Sequence, residues 1–197
     1  RNRKVVYLPK LTSQPKDLPR CTSKRVSNLS LTFLPEKLTG NKIYTDGSFN
    51  SKTPGVGGIG LAFHSENGWQ SMSIRITSAQ FSKVTNNLCE ILALILANYI
   101  FQRLPGKITL CTDSDVSKKI AENKDKWAPI GSNAPLAFIL KHYIKPDKTK
   151  LQKVDAHKGW LTDDQKGNGF ADLAAKLACS DSTLAEPDIM AHMPNIT

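Results

Sequence analysis

Apolar residues are sparse and unpatterned over the first forty positions and become organised from Lys42 onward. Residues 42–49 and 57–63 are short apolar runs separated by an Asn-, Gly- and Pro-containing turn at 50–55, and they predict two strands. Over 69–76 the chain alternates, with Trp69, Ser71 and Ser73 set against Gln70, Met72, Ile74 and Ile76. That period predicts a third, half-exposed strand, and the short turns make the three an antiparallel meander. The stretch 85–104 is apolar nearly all round, so it predicts a buried helix. Thr85 or Asn86 would cap it and Pro105-Gly106 would stop it. A fourth strand over 107–112 follows in parallel position, because a helix precedes it. Helices over 115–123 and 134–145, a fifth strand over 151–157 and a last helix over 169–179 complete the pattern. The order β-β-β-α-β-α-α-β-α predicts an α/β fold with a five-stranded mixed sheet flanked by helices.

A chain of 197 residues suits one domain with tails. Prolines at 9, 15, 19 and 35 and the lack of periodicity make residues 1–40 an extended lead-in or linker. The domain itself is expected over 41–180, and the Pro-containing stretch 181–197 reads as a tail. Charge sharpens this division. The first forty residues hold nine basic side chains against Asp17 and Glu36, whereas the formal net charge of the whole chain is +10. Most of the excess therefore sits in the leader, as a tether to nucleic acid or a solvated linker would have it.

Cys21, Cys89, Cys111 and Cys179 lie far apart, with no C-x-x-C pair and no histidine at zinc spacing, which argues against a disulfide framework or structural zinc. Reduced cysteines fit a cytoplasmic or nuclear protein. The longest apolar stretch, 91–101 with Asn98 inside it, is too short to cross a bilayer, so no membrane partner is expected. The N-terminus is polar and basic rather than signal-like, and a start at arginine suggests a piece of something longer.

Four carboxylates stand in short, distinctive contexts. Asp46 lies in Tyr44-Thr45-Asp46-Gly47-Ser48 at the end of the first strand. Glu90 lies in Thr85-Asn86-Asn87-Leu88-Cys89-Glu90, one turn into the buried helix. Asp113 ends the fourth strand in Thr112-Asp113-Ser114, and Asp172 opens the last helix in Asn168-Gly169-Phe170-Ala171-Asp172-Leu173-Ala174. Singly, Asp113 could be a helix cap and Asp172 a first-turn carboxylate favoured by the helix dipole. Gathered together without a cation they would repel, and one would hold a proton. Magnesium, a hard cation that seeks oxygen ligands, reverses that balance. Two such ions roughly 3.5–4 Å apart can activate water and stabilise the leaving oxygen of a phosphodiester.

These contexts, in this order, resemble type 1 ribonuclease H over about residues 41–180. The resemblance implies the ribonuclease H-like fold and metal-dependent endonucleolytic cutting of the RNA strand of an RNA–DNA hybrid. It implies Asp46, Glu90, Asp113 and Asp172 as ligands of two Mg2+ ions, for which Mn2+ could substitute, and no small-molecule cofactor. By the same resemblance Asn86 and Asn87 match minor-groove contacts on the hybrid. Thr85 and Lys83 match a DNA-phosphate site, and Gly47-Ser48 lies where the RNA strand comes close. His157, in Asp155-Ala156-His157-Lys158-Gly159, matches the histidine of a flexible loop that aids product release or shuttles a proton. Two departures stand out. Residues 160–166 lengthen the gap between that histidine and the last aspartate, and Gly169 replaces a frequent glutamate.

Asp115, Asp155, Asp163 and Asp164 are expected not to be ligands. Residues 124–131, with Lys124, Lys126 and Trp127, read as a charged loop rather than a substrate-gripping helix. The ends and the Ala156-His157-Lys158-Gly159 segment suggest the nuclease part of a retroelement polyprotein, fused to a reverse transcriptase. The competing reading is an inactive nucleic-acid-binding or connection module of the same fold, against which stands the retention of all four carboxylates. A transposase or integrase would lack the helix glutamate context, and a proofreading exonuclease would want Asp-x-Glu where Asp46-Gly47-Ser48 stands.

Overall fold

The computed structural model describes residues 20–31, 37–115, 117–118, 144–145, 147–156 and 159–192. Strands β1 (Cys21–Arg25), β2 (Leu38–Phe49), β3 (Val56–Ser65), β4 (Gly68–Thr77), β5 (Ile108–Thr112) and β6 (Thr149–Lys153) form one sheet in the order β1-β4-β3-β2-β5-β6. The meander β2–β3–β4 is antiparallel; β5 and β6 add parallel to β2, and β1 adds parallel to β4. The mixed α/β sheet is therefore as expected, with six strands rather than five. The extra strand comes from the stretch read as lead-in. CTSKR has no apolar alternation because four of its five residues are exposed at the sheet edge, so hydrophobic period gave no signal.

Helix α1 (Asn86–Phe101) is capped by Thr85, whose hydroxyl accepts from the Leu88 N–H at 3.1 Å. Every residue from Leu88 to Asn98 is buried, as all-round apolarity requires. It packs on the sheet face formed by Ile43, Ile59, Leu61, Phe63, Met72, Ile74, Ile76, Ile108 and Leu110, which is the main core. No helix among the described residues is long and apolar enough to cross a membrane.

Helix α2 (Asp163–Ser180) covers the opposite face and corrects two expectations. It begins six residues before the predicted 169, because Thr162 and Gln165 make a reciprocal capping box. Residues 160–166 are thus mostly the cap and first turn rather than a lengthened loop, and Asp172 lies mid-helix rather than at its start. Thr162-Asp163-Asp164-Gln165 carried that signal in plain view. The second correction is to β4. Its serine face is not exposed: Ser71 and Ser73 are buried on the α2 side, and the Ser73 hydroxyl donates to the Ala174 carbonyl at 2.8 Å.

Over β3 the contact of α2 is made by backbone. On β3 the residues toward α2 are Gly58, Gly60 and Ala62, and the facing helix stripe is Ala171, Ala174, Ala175 and Ala178. A Cβ on Gly60 would overlap the Ala171 carbonyl oxygen, and one on Gly58 the Ala175 carbonyl oxygen. Strand and helix lie too close for any side chain between them.

Beyond Ser180 the chain is packed rather than linker-like as far as His192. Glu186 accepts from the Thr77 N–H at 2.8 Å and its hydroxyl at 2.5 Å, Gln80 bonds the backbone of Pro187 and Ile189, and Ile189 is fully buried. Arg25 on β1 pairs with Asp181 at 2.8 Å, so the two flanking segments hold each other. The helix predicted at 115–123 is described only at its first turn. The helix at 134–145 and the loop at 124–131 fall almost entirely outside the described residues.

Because Gly60 meets helix backbone, Gly60→Ala should destabilise the fold by about 3 kcal/mol in urea denaturation, the upper range for forcing a carbon into a packed interior. Gly68, at φ +93° with open space around it, is the control, and Ala there should cost only about 1 kcal/mol. Equal losses at the two positions would contradict the close-packed seam.

Candidate metal and active site

Asp46 lies on β2 between two close helix approaches. Its cross-strand partner is Gly60, the residue pressed against Ala171 on α2. The next helix residue is Asp172, whose carboxylate lies close enough to Asp46 to help raise its pKa. On the other side, a Cβ on Gly47 would lie 2.7 Å from the Cys89 backbone and from the Glu90 nitrogen. The first turns of α1 therefore press on β2 immediately after Asp46 and deliver Glu90 to it. Asp113 arrives through strand register. Thr45 pairs with Thr112 in the parallel β2–β5 ladder, so the residues following each, Asp46 within β2 and Asp113 just past the end of β5, come side by side. The Thr112 hydroxyl accepts from the Ser114 N–H at 3.0 Å and fixes the chain just beyond Asp113.

One carboxylate oxygen each of Asp46, Glu90 and Asp113 lies within 4.8 Å of the other two. Asp46 and Glu90 are 5 % and 7 % exposed, and Asp113 is half-buried at the mouth. Glu90 Oε1 has no hydrogen-bond partner although it is buried. A buried carboxylate oxygen without a donor is costly, and hard oxygen donors around it fit a divalent cation. The buried acidic triad is thus compatible with divalent-metal binding. Asp172 stands beside this triad rather than within it, next to Asp46 and paired with Lys176 Nζ at 3.0 Å. Asp115, Asp155, Asp163 and Asp164 do not join the group. Asp163 and Asp164 lie in the first turn of α2 and line a separate cleft with Lys42 and His64; there Asp164 accepts from Tyr44 at 2.6 Å and from Lys42 at 3.1 Å.

The other residues singled out in the sequence are distributed as follows. Thr85, Asn86 and Asn87 form the cap and first turn of α1, with both asparagines exposed, and Lys83 is exposed just before them. Gly47 and Ser48 are half-buried. The need for glycine at 47 comes from the helix behind it, a packing reason independent of any strand approaching from the front. His157 lies outside the described residues. Two residues escaped notice in the sequence. Asn168 is 2 % exposed with Oδ1 unpartnered, and Lys176 bonds Asp172. The i,i+4 spacing of Asp172 and Lys176 was a readable signal; the burial of Asn168 was not.

Burial pushes the Asp46 carboxyl far above the usual range, with Glu90, Asp113 and Asp172 adding repulsion. Glu90 is raised by the same burial and by Asp113. The sign of the linkage follows. The unfolded chain releases these protons near pH 4 while the native cluster keeps them, so their contribution is fully present below that pH and is lost as pH rises toward the raised native values. With chelator present, Asp46→Asn should therefore raise Tm at pH 8 by about 3–6 °C. The gain should shrink toward zero near pH 4. A variant less stable than wild type at pH 8 would contradict this electrostatic account.

The family description RNase H matches residues 39–180. Comparison with curated proteins finds no match. Among solved structures, the native protease–reverse transcriptase of prototype foamy virus is similar at 21 % identity and TM-score 0.58, over 79 % of this chain and 23 % of that one. This chain thus spans about a quarter of that polypeptide. The solution structure of the RNase H domain of the same virus aligns at 18 % identity and TM-score 0.54, over 70 % of this chain and 93 % of that one. RNase H1 of Halobacterium salinarum NRC-1 aligns at 23 % identity and TM-score 0.48, over 72 % and 98 %. The foamy-virus likenesses agree with the sheet order and helix placement in showing the fold, and the family match spans most of the chain: this protein belongs to the RNase H family.

Proposed function

We propose that the chain cuts the RNA strand of RNA–DNA hybrids endonucleolytically, with Asp46, Glu90, Asp113 and Asp172 holding two divalent ions. Family membership supports ribonuclease activity in general. The observation that carries the finer reading is the convergence of the Asp46, Glu90 and Asp113 oxygens within 4.8 Å around an unpartnered Glu90 oxygen. Magnesium, or manganese in its place, would supply an acidified water and positive charge at the phosphate. The carboxylates' task is to be charged and fixed. Asp46 and Glu90 are fixed by the two helices against β2, and Asp113 presents itself at the mouth.

The exposed start of α1 is read as the contact for the DNA strand. Main-chain N–H groups at a helix N-terminus attract phosphate. The Thr85 hydroxyl, which accepts in its cap, still has a proton to donate, and Lys83 adds charge nearby. Asn86 and Asn87 offer amides to the minor groove, and Gly47-Ser48 borders the path of the RNA strand. A contact to the 2′-OH would distinguish RNA from DNA. His157 is read as the acid–base or product-release residue. Similarity to a protease–reverse transcriptase, and to such a protein solved with dsDNA, supports a place beside a reverse transcriptase in a retroelement polyprotein.

A gel assay on RNA–DNA hybrid, duplex RNA and single-stranded RNA, with magnesium or chelator, tests this. The expected result is metal-dependent cutting of the hybrid alone, reduced at least about 100-fold by Asp113→Asn, the scale for losing an essential charge-stabilising group. Intact protein that binds hybrid without cutting it would favour the inactive-module reading instead.

A further inference from the structure

The loop from β4 to α1, residues 78–85, leads into the helix start read above as the contact for the DNA strand, and a segment beyond the family match holds it. Its second half is anchored by burial, with Phe81 and Val84 in the main core and Lys83 exposed between them. In its first half Ser78 and Ala79 are exposed, and Gln80 ties this half to the 186–192 segment. Nε2 of Gln80 donates to the Pro187 carbonyl at 2.6 Å, and Oε1 accepts from the N–H groups of Ile189 at 2.8 Å and Met190 at 3.3 Å. Just before the loop, Glu186 accepts from the N–H and hydroxyl of Thr77, the last residue of β4. The segment is itself pinned: Ile189 is fully buried in the main core, and His192 Nδ1 lies 3.0 Å from the Tyr99 hydroxyl on α1. One short stretch of chain thus fastens strand end, loop and helix to each other.

We propose that Gln80, anchored on the 186–192 segment, is a positioning residue for the nucleic acid: it sets the course of the loop so that Lys83 is already placed to meet a phosphate of the DNA strand. The inference rests on the reading of the α1 start given above. A contact that must order its own loop on binding gives up affinity to the conformational entropy it removes. Here the three bonds of one amide, made to a segment locked in the core, supply that order before the nucleic acid arrives. Thr85 is held from the helix side by its cap, so Lys83 is the group that depends on the loop. Asp46 and Glu90 are held by other contacts, the packing of α1 and α2 on β2 and β3. A loosened loop therefore weakens the grip on the hybrid and leaves the metal-compatible triad in place.

The test is a double-mutant cycle on the full chain, read by fluorescence anisotropy of a labelled RNA–DNA hybrid in chelator over a range of salt concentrations. Lys83→Ala should weaken binding about fivefold and lower the slope of log Kd against log salt by about 0.9, as for one lost phosphate contact. Gln80→Ala should weaken binding about threefold and lower that slope in the same direction, and adding Lys83→Ala to it should cost less than about twofold more. Glu186→Gln, whose amide can still bond Thr77, should bind as wild type, whereas Glu186→Ala should behave as Gln80→Ala does. All binding is measured below the melting transition of each variant, and if Gln80→Ala does not fold, Glu186→Ala carries the same cycle. Losses from Gln80→Ala and Lys83→Ala that simply multiply, or a Gln80→Ala salt slope equal to that of wild type, make Gln80 a stability residue only. Either result overturns the inference and leaves the proposed function standing. Wild-type binding that Lys83→Ala leaves unchanged overturns the reading of the α1 start as a DNA contact, and the role of Gln80 with it.

Discussion

Negative charge confined in a partly dry cleft is the constraint around which this fold is arranged. Asp46 and Glu90 are nearly inaccessible to water, and Asp113 and Asp172 crowd them. Left to itself such a cluster would spread apart or hold protons. What prevents its spreading is backbone packing on the two faces of the paired strands β2 and β3. Helix α1 fills the space of an absent side chain at Gly47, and helix α2 fills it at Gly60, opposite Asp46. The same missing carbons that let the helices approach bring Glu90 and Asp172 to the strand. The core on the α1 face then anchors this arrangement through large side chains: Ile59, Leu61 and Phe63 alternate with the small residues along β3.

The site is consequently a region where function opposes stability. Each carboxyl held above its ordinary range weakens the native state as pH rises, and a divalent cation, if bound there, would relieve that load. The remainder of the domain supplies the compensating stability. Part of it comes from flanking segments that the family match at 39–180 does not include. Strand β1 extends the sheet, Val26 and Leu29 bury against the core, and the 181–192 segment is fastened through Glu186, Gln80 and Ile189. The Arg25–Asp181 pair joins these two segments, so the packed unit reaches past both ends of the family match.

Much of this was legible in the sequence wherever hydrophobic period and local chemistry coincide. The meander, the buried helix with its Thr85 cap, and the parallel fourth strand were all readable, because each buries one face or all faces. The four carboxylates could be picked out from their contexts, and the structure brings three of them within ligand reach of one another with the fourth alongside. Three kinds of feature were not read. The serine face of β4 looks solvent-facing but lies under a helix of alanines, where only small side chains fit. Strand β1 is polar because it is an edge. The early start of α2 rested on a capping box, a polar signal that apolar periodicity does not contain. Its consequence is positional: Asp172 has two full helical turns before it, so its neighbours are Lys176 and Asp46 rather than the groups of a helix terminus.

The central claim is that three oxygens, from Asp46, Glu90 and Asp113, are assembled to share a divalent ion. The most direct measurement is anomalous diffraction from crystals equilibrated with Mn2+. The account predicts a peak within coordination distance of one oxygen from each of the three side chains, with Glu90 Oε1 no longer unpartnered. No peak there at saturating Mn2+, or a peak instead at the Asp163–Asp164 cleft, would contradict it.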